Sequence, residues 1–502
     1  MCNSAWNSLR ISTSTTESER YLVNFARKVF LSLWSFPNVY TDEGKHGKGN
    51  GKELCDLLVV FGNDIILFSD KACKFTPHSD IEIAWSRWFR KAIEKSAKQL
   101  SGAESWIRRF PDRLFLDPAC TSTLPVQLPR LSDCRIHLVA VARGSREYAK
   151  KYWGEGGSSS LFINTTLVED DHKNSPFCIG WSLPNKRLVH VLDETTLDIL
   201  LNELDTISDF VSYLTKKEKI FCNHELDFIV PGEEELLAFY LSHFDYKKNE
   251  HHFPEIPDGA LVALNEGDWQ RFINSKSYAS RYEANEISYI WDALIEFQNR
   301  HIIDGSAESL TGDDSPEVYE RVMRIMASEN RLTRRVLGES FYIANNLDKK
   351  GKRYTRTVMS SAKSGRAYIF MALSSPDGCS VSDYKAMRRS ELMLYIQGCK
   401  LNYKKVDEVL GIVFEPGQKH LSSVDFLYVN FGLDEIDTDF VKEIKRDLKD
   451  FNMWQTGAIK LKMIRNLPFP HIESLVLRRV LWFMSRLNQT IRNIWNRIQK
   501  QE

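Results

Sequence analysis

Two residues on neighbouring apolar stretches have the types and spacing that phosphodiester hydrolysis needs. Asp56 lies near the start of the apolar run Leu54–Phe61, and Lys71 follows the next run, Ile65–Phe68. The tight turn between the runs predicts a β-hairpin, which brings Asp56 and Lys71 near each other. The carboxylate of Asp56 would hold Mg²⁺ or Mn²⁺, and the ammonium group of Lys71 would orient the attacking water and offset developing charge.

The elements around the hairpin must hold these two side chains in place. Ahead of it, a capping stretch at 14–16 and the acids Glu17 and Glu19 predict the start of a helix. Between this helix and the hairpin, Phe36–Tyr40 reads as a short strand. After the hairpin, the pattern predicts one long helix over Ile81–Phe110 and a buried strand over Arg135–Val141. The predicted order is therefore α-β-β-β-α-β.

This order, with Asp56 and Lys71 on the hairpin, resembles the PD-(D/E)xK nuclease superfamily over roughly residues 14 to 145. The resemblance implies a restriction-endonuclease-like domain, in which a mixed central sheet is flanked by helices and a metal site lies at the strand ends. It implies that Asp56 is the first metal ligand and that Lys71 is the lysine of the motif. The expected activity is that of a Mg²⁺-dependent endonuclease acting on DNA, or alternatively on RNA, for example in defence against invading DNA.

The sequence departs from the superfamily pattern two residues before the lysine, where Ser69 stands in place of an acid. Asp70 would face the other way, because side chains alternate along a strand, unless a bulge re-aims it. The missing carboxylate could instead come from another part of the domain, and the candidates are Asp70, Glu53, Glu19 and Glu94. Ser69 also favours an alternative, a catalytically degenerate protein that keeps the fold and binds nucleic acid or acts as a scaffold.

Two basic segments could contact a nucleic-acid backbone, which attracts lysine and arginine independently of sequence. The first is the face of the long helix that carries Arg87, Arg90, Lys91, Lys95, Lys98 and Gln99. The second runs from Arg331 to Arg366 and includes Arg334, Arg335, Lys352, Arg353 and Arg356. For each segment, an ordinary solvated or internally balanced surface is the competing interpretation. A basic C-terminal helix over Ile472–Gln499 is a further candidate surface for a protein partner.

Composition excludes several classes of protein. The 502 residues contain 67 Lys and Arg against 67 Asp and Glu, and 43% hydrophobic residues, so the chain is neither a globally basic coat protein nor a disordered one. No apolar run reaches the length of a membrane span, and the N-terminus lacks the apolar core of a signal peptide. Nine cysteines without a CxxC pair argue against a disulfide framework, which predicts a cytoplasmic protein without a membrane partner.

We expect an α/β protein of four segments. Residues 14–150 form the nuclease-like core, 151–245 extend its sheet and add an acidic helix over Thr195–Leu214, and 260–345 are mainly helical. Residues 346–502 form a second α/β unit with a basic helical tail.

Overall fold

The computed structural model describes residues 17–130, 132–154, 161–307, 316–346, 353–416, 424–432, 438–454 and 467–470. The chain divides into two units, of which unit 1 spans Met1–Tyr246, Glu250–Ser275 and Ile303–Gly305, and unit 2 takes the remainder. Both contain mixed sheets and helices, so the predicted α/β class is confirmed. The predicted segments 14–150 and 151–245 fall in unit 1, 260–345 is divided between the units, and 346–502 falls in unit 2.

The strands of unit 1 follow the predicted order through the first sheet. Their bounds are β1 (Ser35–Thr41), β2 (Lys52–Phe61), β3 (Asp64–Ala72), β4 (Leu114–Phe115), β5 (Arg135–Arg143), β6 (Phe162–Val168), β7 (Cys178–Trp181), β8 (His190–Leu192), β9 (Asp227–Val230), β10 (Phe244–Asp245), β11 (Glu250–His251) and β12 (Leu261–Ala263).

A six-stranded mixed sheet in the order β4-β1-β2-β3-β5-β8 forms the centre of unit 1. β1, β2 and β3 are antiparallel neighbours, whereas β5 and β8 run parallel to β3. All residues of β2 from Leu54 to Phe61 are buried. A strand covered on both faces is expected to be continuously apolar, which is why its sequence reads as an uninterrupted hydrophobic run. A smaller sheet has the order β12-β9-β6-β7, and β10 pairs with β11.

The helices of unit 1 are α1 (Glu17–Phe30), α2 (Lys45–Lys48), α3 (Ile81–Phe89), α4 (Lys95–Arg109), α5 (Arg146–Trp153), α6 (Glu194–Glu203), α7 (Ile207–Phe221), α8 (Glu233–Leu241) and α9 (Asp268–Ile273). Helices such as α1 and α4 pack against the central sheet of this unit.

The long helix predicted over Ile81–Phe110 is present as α3 and α4, joined without a break by a π-helical turn at Arg90–Glu94. The Asp80 side chain caps its start by accepting a hydrogen bond from the Glu82 N–H. Trp85 and Trp88 are buried on its inner face. The prediction of a single helix over Thr195–Leu214 was wrong, because α6 ends at Glu203 and Thr206 caps a second helix, α7, by accepting a hydrogen bond from the Asp209 N–H.

Unit 2 contains a second mixed sheet, in which β13 (Tyr354–Met359), β14 (Arg366–Ala372), β15 (Glu408–Phe414) and β16 (Val424–Asn430) are adjacent in that order. Its middle pair is parallel and its outer pairs are antiparallel. The helices are α10 (Lys276–Asn285), α11 (Tyr289–Asp304), α12 (Pro316–Ala327), α13 (Arg331–Asn345), α14 (Val381–Asn402) and α15 (Thr438–Asp450). The predicted C-terminal helix Ile472–Gln499 lies outside the described residues.

None of the helices in the described part of the chain combines the length and apolar character that a bilayer span requires. The cysteines within the described ranges are all free thiols.

Candidate active site at the fork of the central sheet

The hairpin β2–β3 opens into a fork at the residues that the sequence singled out. The two strands pair from Phe61 and Asp64 as far as Leu57 and Phe68. Beyond that point β2 continues with β1 as its partner, and β3 continues with β5. The gap that opens between the diverging strands is called the fork below, and Asp56 is the first residue of β2 inside it.

Asp56 and Lys71 converge in the fork. The Asp56 carboxylate is 5% exposed, and its Oδ2 accepts a hydrogen bond of 2.5 Å from the Asp70 N–H, a backbone group that the departing strand no longer satisfies. The Lys71 Nζ lies 3.7 Å from the same oxygen, and the lysine side chain is 28% exposed. The site therefore has a buried anion at its base and a cation that reaches solvent.

Ser69 occupies the position at which the nuclease pattern has an acid. Its side chain is buried, and its Oγ lies 3.3 Å from Ser96 Oγ and 3.4 Å from Gln99 Oε1 on α4. Ser69 therefore ties the strand to the helix. Gln99, expected to contact nucleic acid, is partly engaged in this link.

The structure corrects the expectation that Asp70 completes the metal site. Arg143 donates two hydrogen bonds to the Asp70 carboxylate, of 2.8 Å from Nε and 3.0 Å from Nη2. Burial raises the pKa of Asp70, and the Arg143 charge only partly opposes this rise. The β3–β5 pairing is regular through this region, so no bulge turns the side chain towards Asp56.

The guanidinium group of Arg143 lies 5.6 Å from the ring centre of Tyr21 on α1. The Tyr21 hydroxyl in turn donates to Asp198 Oδ1 at 2.7 Å. Burial and this hydrogen bond raise the pKa of Tyr21 to about 12. Asp70 and Arg143 therefore belong to a structural network that links β3, β5, α1 and α6.

The other candidate acids are placed as follows. Glu53 lies three residues before Asp56 on β2 and is exposed. Glu94 pairs with Lys98 one turn along the helix, at 2.5 Å. Glu19 lies on α1, but its side chain is outside the described residues. Among the described side chains, no group of three closely spaced metal-type donors includes Asp56.

The basic face of the long helix is available to solvent. Its five basic side chains are all exposed, and they are Arg87, Arg90, Lys91, Lys95 and Lys98. Lys91 and Lys95 lie near Cys73, two residues beyond Lys71. Burial raises the pKa of the Cys73 thiol, and the charges of Lys71, Lys91 and Lys95 oppose this rise. The positive charge of the fork therefore continues onto the helix.

The second basic segment is placed differently from the prediction. Arg334 is 1% exposed and donates to Asp292 Oδ1, and Arg335 is 7% exposed and donates to Asn285 Oδ1. The prediction that these two arginines bind nucleic acid is corrected, because both side chains are buried and form hydrogen bonds inside unit 2. Arg353 pairs with Glu391 at 2.8 Å.

Two further residues of that segment were predicted to contact nucleic acid. Arg356 is half-buried on β13, and Lys352 lies outside the described residues.

A second group of polar residues lies across β3 from the fork, on the side of β5 and β8, and sequence analysis missed it. It consists of His137 on β5, His190 on β8 and Glu218 on α7, and is called the histidine cluster below. Glu218 Oε1 lies 2.9 Å from His137 Nδ1 and 3.0 Å from His190 Nε2. Glu218 lies 81 positions from His137 and 28 positions from His190 along the chain, so no local sequence motif predicts the cluster.

Burial and mutual hydrogen bonds shift the pKa values of all three residues of the histidine cluster. Burial alone would raise the pKa of Glu218, but hydrogen bonds from His137 and His190 lower it well below its usual range. Burial lowers the pKa of His190, whereas for His137 the adjacent Asp64 and Glu218 outweigh burial and raise the pKa.

Comparison with known proteins adds no relative: no protein-family model, no curated protein and no solved structure matches the chain.

Proposed function

We propose that unit 1 is a Mg²⁺-dependent nuclease that cleaves DNA at the fork. The observation that carries this proposal is the convergence of the Asp56 carboxylate and the Lys71 ammonium group, 3.7 Å apart, where β2 and β3 separate. The element order α-β-β-β-α-β around this point supports the resemblance to the PD-(D/E)xK superfamily. The free thiols suit a reducing compartment, so we place this activity in the cytoplasm, where a role against invading DNA would be consistent with it.

The donor set at the fork fits Mg²⁺ better than it fits a fully protein-coordinated ion. Mg²⁺ keeps several waters and is commonly bound through one or two carboxylates together with substrate phosphates. Asp56 supplies one such carboxylate, and a substrate phosphate would approach from the side on which Lys71 reaches solvent. When bound, Mg²⁺ or Mn²⁺ would polarise the phosphate and make a bound water more acidic.

The residues of the chain then divide the work. Asp56 is held in one orientation by the Asp70 N–H, so its carboxylate is fixed before substrate arrives. Lys71 orients the attacking water and offsets the negative charge that develops on the phosphate. The exposed Lys91 and Lys95 attract the DNA backbone beside the fork without reading its sequence.

Ser69 is the observation that favours a second candidate function. Its hydroxyl is engaged with Ser96 and Gln99 and contributes no charge to the fork. A chain with this substitution could bind nucleic acid along the basic helix without cutting it, as a recognition or scaffold component.

The deciding experiment uses the full chain with supercoiled plasmid, single-stranded DNA and RNA, each with Mg²⁺, Mn²⁺ or EDTA. The test variant is Asp56→Asn, which removes the negative charge but keeps an oxygen that can accept from the Asp70 N–H. The matched control is Asp112→Asn, which changes an exposed acid of the same unit.

We expect metal-dependent cutting of DNA by the wild type and by Asp112→Asn, and its loss in Asp56→Asn. Cutting of RNA alone would reassign the substrate. Binding without cutting in every metal supports the recognition component, and cutting that persists undiminished in Asp56→Asn would rule out the fork as the active site.

A further inference from the structure

The histidine cluster brings together the ligand types of a transition-metal site. His137, His190 and Glu218 each offer one ligand atom, and these atoms all lie within 4.8 Å of one another. The three residues come from a central strand, an edge strand and a helix. Two imidazole nitrogens and one carboxylate oxygen form the ligand set of zinc sites that keep a fourth position for water. Imidazole selects zinc-class metals, whereas Mg²⁺ prefers oxygen ligands.

The second imidazole nitrogen of His137 has the support that metal-bound histidines usually have. His137 Nε2 lies 3.4 Å from Asp64 Oδ1, while Nδ1 points to Glu218. Asp64 is itself fixed by Arg135, which donates hydrogen bonds of 2.6 and 2.8 Å. A carboxylate on the far nitrogen of a ligating histidine fixes the orientation of the ring and strengthens it as a donor.

The cluster is closed to substrates of any size but open to a small ion. The His137 and His190 side chains are 0% and 1% exposed, and the Glu218 side chain is 19% exposed. An ion could therefore reach the site past Glu218, whereas a nucleic acid could not. The buried His190 Nδ1 has no hydrogen-bond partner among the described residues, so this ring is not committed to a complete hydrogen-bond network.

We propose that His137, His190 and Glu218 form a binding site for a zinc-class divalent metal, with water as the fourth ligand, that clamps β5, β8 and α7 together. Binding displaces the proton that each imidazole shares with Glu218. That proton moves to the far nitrogen of the ring where this nitrogen carries none, and is released to the buffer where the ring was fully protonated. The site is separate from the fork, because its ligands lie on β5, β8 and α7, across β3 from the gap. His137 pairs with Ile66, which lies five residues before Lys71 on β3, or about 17 Å at about 3.3 Å per residue. The proposal does not depend on the nuclease proposal.

The experiment titrates ZnCl₂ into the EDTA-treated full chain by calorimetry and records the visible spectrum with Co²⁺ in place of Zn²⁺. The test variants are Glu218→Gln, His190→Gln and Asp64→Asn. Two controls remove other ligands for adventitious zinc, namely His224→Gln and Cys222→Ser, both exposed, the second one turn beyond Glu218. Circular dichroism checks that each variant is folded.

We expect one Zn²⁺ per chain and a tetrahedral Co²⁺ spectrum without thiolate charge transfer. Zinc at about a hundredfold excess over Kd should raise Tm by about 5–10 °C. Glu218→Gln and His190→Gln should abolish binding, Asp64→Asn should weaken it by about 10- to 100-fold, and the controls should bind normally.

Failure of the folded wild type to bind Zn²⁺ would overturn the proposal, as would unchanged binding in both ligand variants. If the ligand variants do not fold, the wild-type Co²⁺ spectrum decides, because thiolate or octahedral oxygen ligation would exclude this site.

Discussion

The six-stranded sheet of unit 1 carries two chemically different sites, one on each side of β3, although β3 and β5 contribute residues to both. At the fork, β2 leaves β3, and a carboxylate and a lysine line a gap that reaches solvent. On the other side of β3, the strands β5 and β8 run alongside it, and the two imidazoles of the histidine cluster are buried next to Glu218 of α7. Strand separation therefore produces an open site suited to a long polyanion, whereas close strand pairing produces a closed site suited to one ion.

The two sites also differ in how they balance charge. In the histidine cluster, one Glu218 oxygen forms hydrogen bonds with both imidazoles, so the potential ligands contact one another. At the fork, the two acids are kept apart in role: Asp56 faces the gap with Lys71, and Asp70 is neutralised behind it by Arg143. This division lets a single carboxylate remain available at the fork.

The largest expected effect tests whether Arg143 is structural. Arg143→Ala leaves the fully buried Asp70 side chain without its partner, which should cost about 3–5 kcal/mol of unfolding free energy. Urea denaturation followed by tryptophan fluorescence measures this loss. Arg87→Ala, which removes an exposed arginine, is the control and should change stability by less than about 0.5 kcal/mol. A loss equal to that of the control would show that the Asp70–Arg143 pair behaves as a surface pair.

The second prediction tests the open site. Lys71→Ala should lower the rate of DNA cleavage by about 10²–10³-fold, since it removes a cation aimed at developing charge, while stability stays near that of the wild type. Lys74→Ala is the matched control, because Lys74 is an exposed lysine on the same segment. Equal rate losses in both variants would indicate a general electrostatic effect in place of a positioned lysine.

The third prediction concerns pH and again separates structure from chemistry at the fork. Burial raises the folded-state pKa of Asp70 above its unfolded value of 3.8, and removing Arg143 should raise it further. Between pH 3.8 and the raised pKa of the folded state, the folded variant holds a proton that the unfolded chain has lost. Its free energy of unfolding therefore falls as pH rises through this range and recovers as pH is lowered. The penalty of Arg143→Ala should therefore shrink as pH is lowered from neutral towards 3.8, by about 1.4 kcal/mol per unit of additional pKa shift.

The control for this pH effect is the double variant Asp70→Asn/Arg143→Ala. It has no carboxyl group to titrate at this position, so its stability should follow the pH dependence of the remaining groups alone. A pH profile shared by the single and double variants would mean that Asp70 does not take up the proton.

The sequence was sufficient for features that depend on local patterns. Two apolar runs around a tight turn predicted the hairpin, and the observed strands, Lys52–Phe61 and Asp64–Ala72, differ from it only at their ends. Alternation along β3 predicted that Ser69 and Asp70 face opposite sides, and their different partners agree with this. Such predictions succeed because they depend on neighbouring residues alone, namely an apolar run on each side of a turn and the alternation of side chains along a strand.

The sequence was insufficient wherever distant residues decide the outcome. The excess of basic residues between Arg331 and Arg366 suggested a surface, but Arg334 reaches Asp292, 42 positions away, and is buried with it. A charge count records the cations of a segment and not the partners they find after folding. The histidine cluster was invisible for the same reason, since its members meet only when β5, β8 and α7 have packed together.

The smallest expected effect is on DNA binding, and it compares charges beside the fork with a charge beside the histidine cluster. Lys91→Gln/Lys95→Gln removes two exposed charges beside the fork, and Lys219→Gln removes an exposed charge on α7, the helix that carries Glu218. If DNA lies along the basic helix, the double variant should bind DNA more weakly. The plot of log K against log salt should also become less steep, by about one unit of slope for each phosphate that a lysine no longer neutralises. Binding is measured by fluorescence anisotropy at several salt concentrations, with Asp56→Asn as the background so that cutting does not interfere. Lys219→Gln should leave the slope unchanged. An equal change in both variants would show that DNA responds to the total charge of the unit and not to the basic helix. The distinction between an open fork that binds nucleic acid and a closed histidine cluster that binds an ion would then fail.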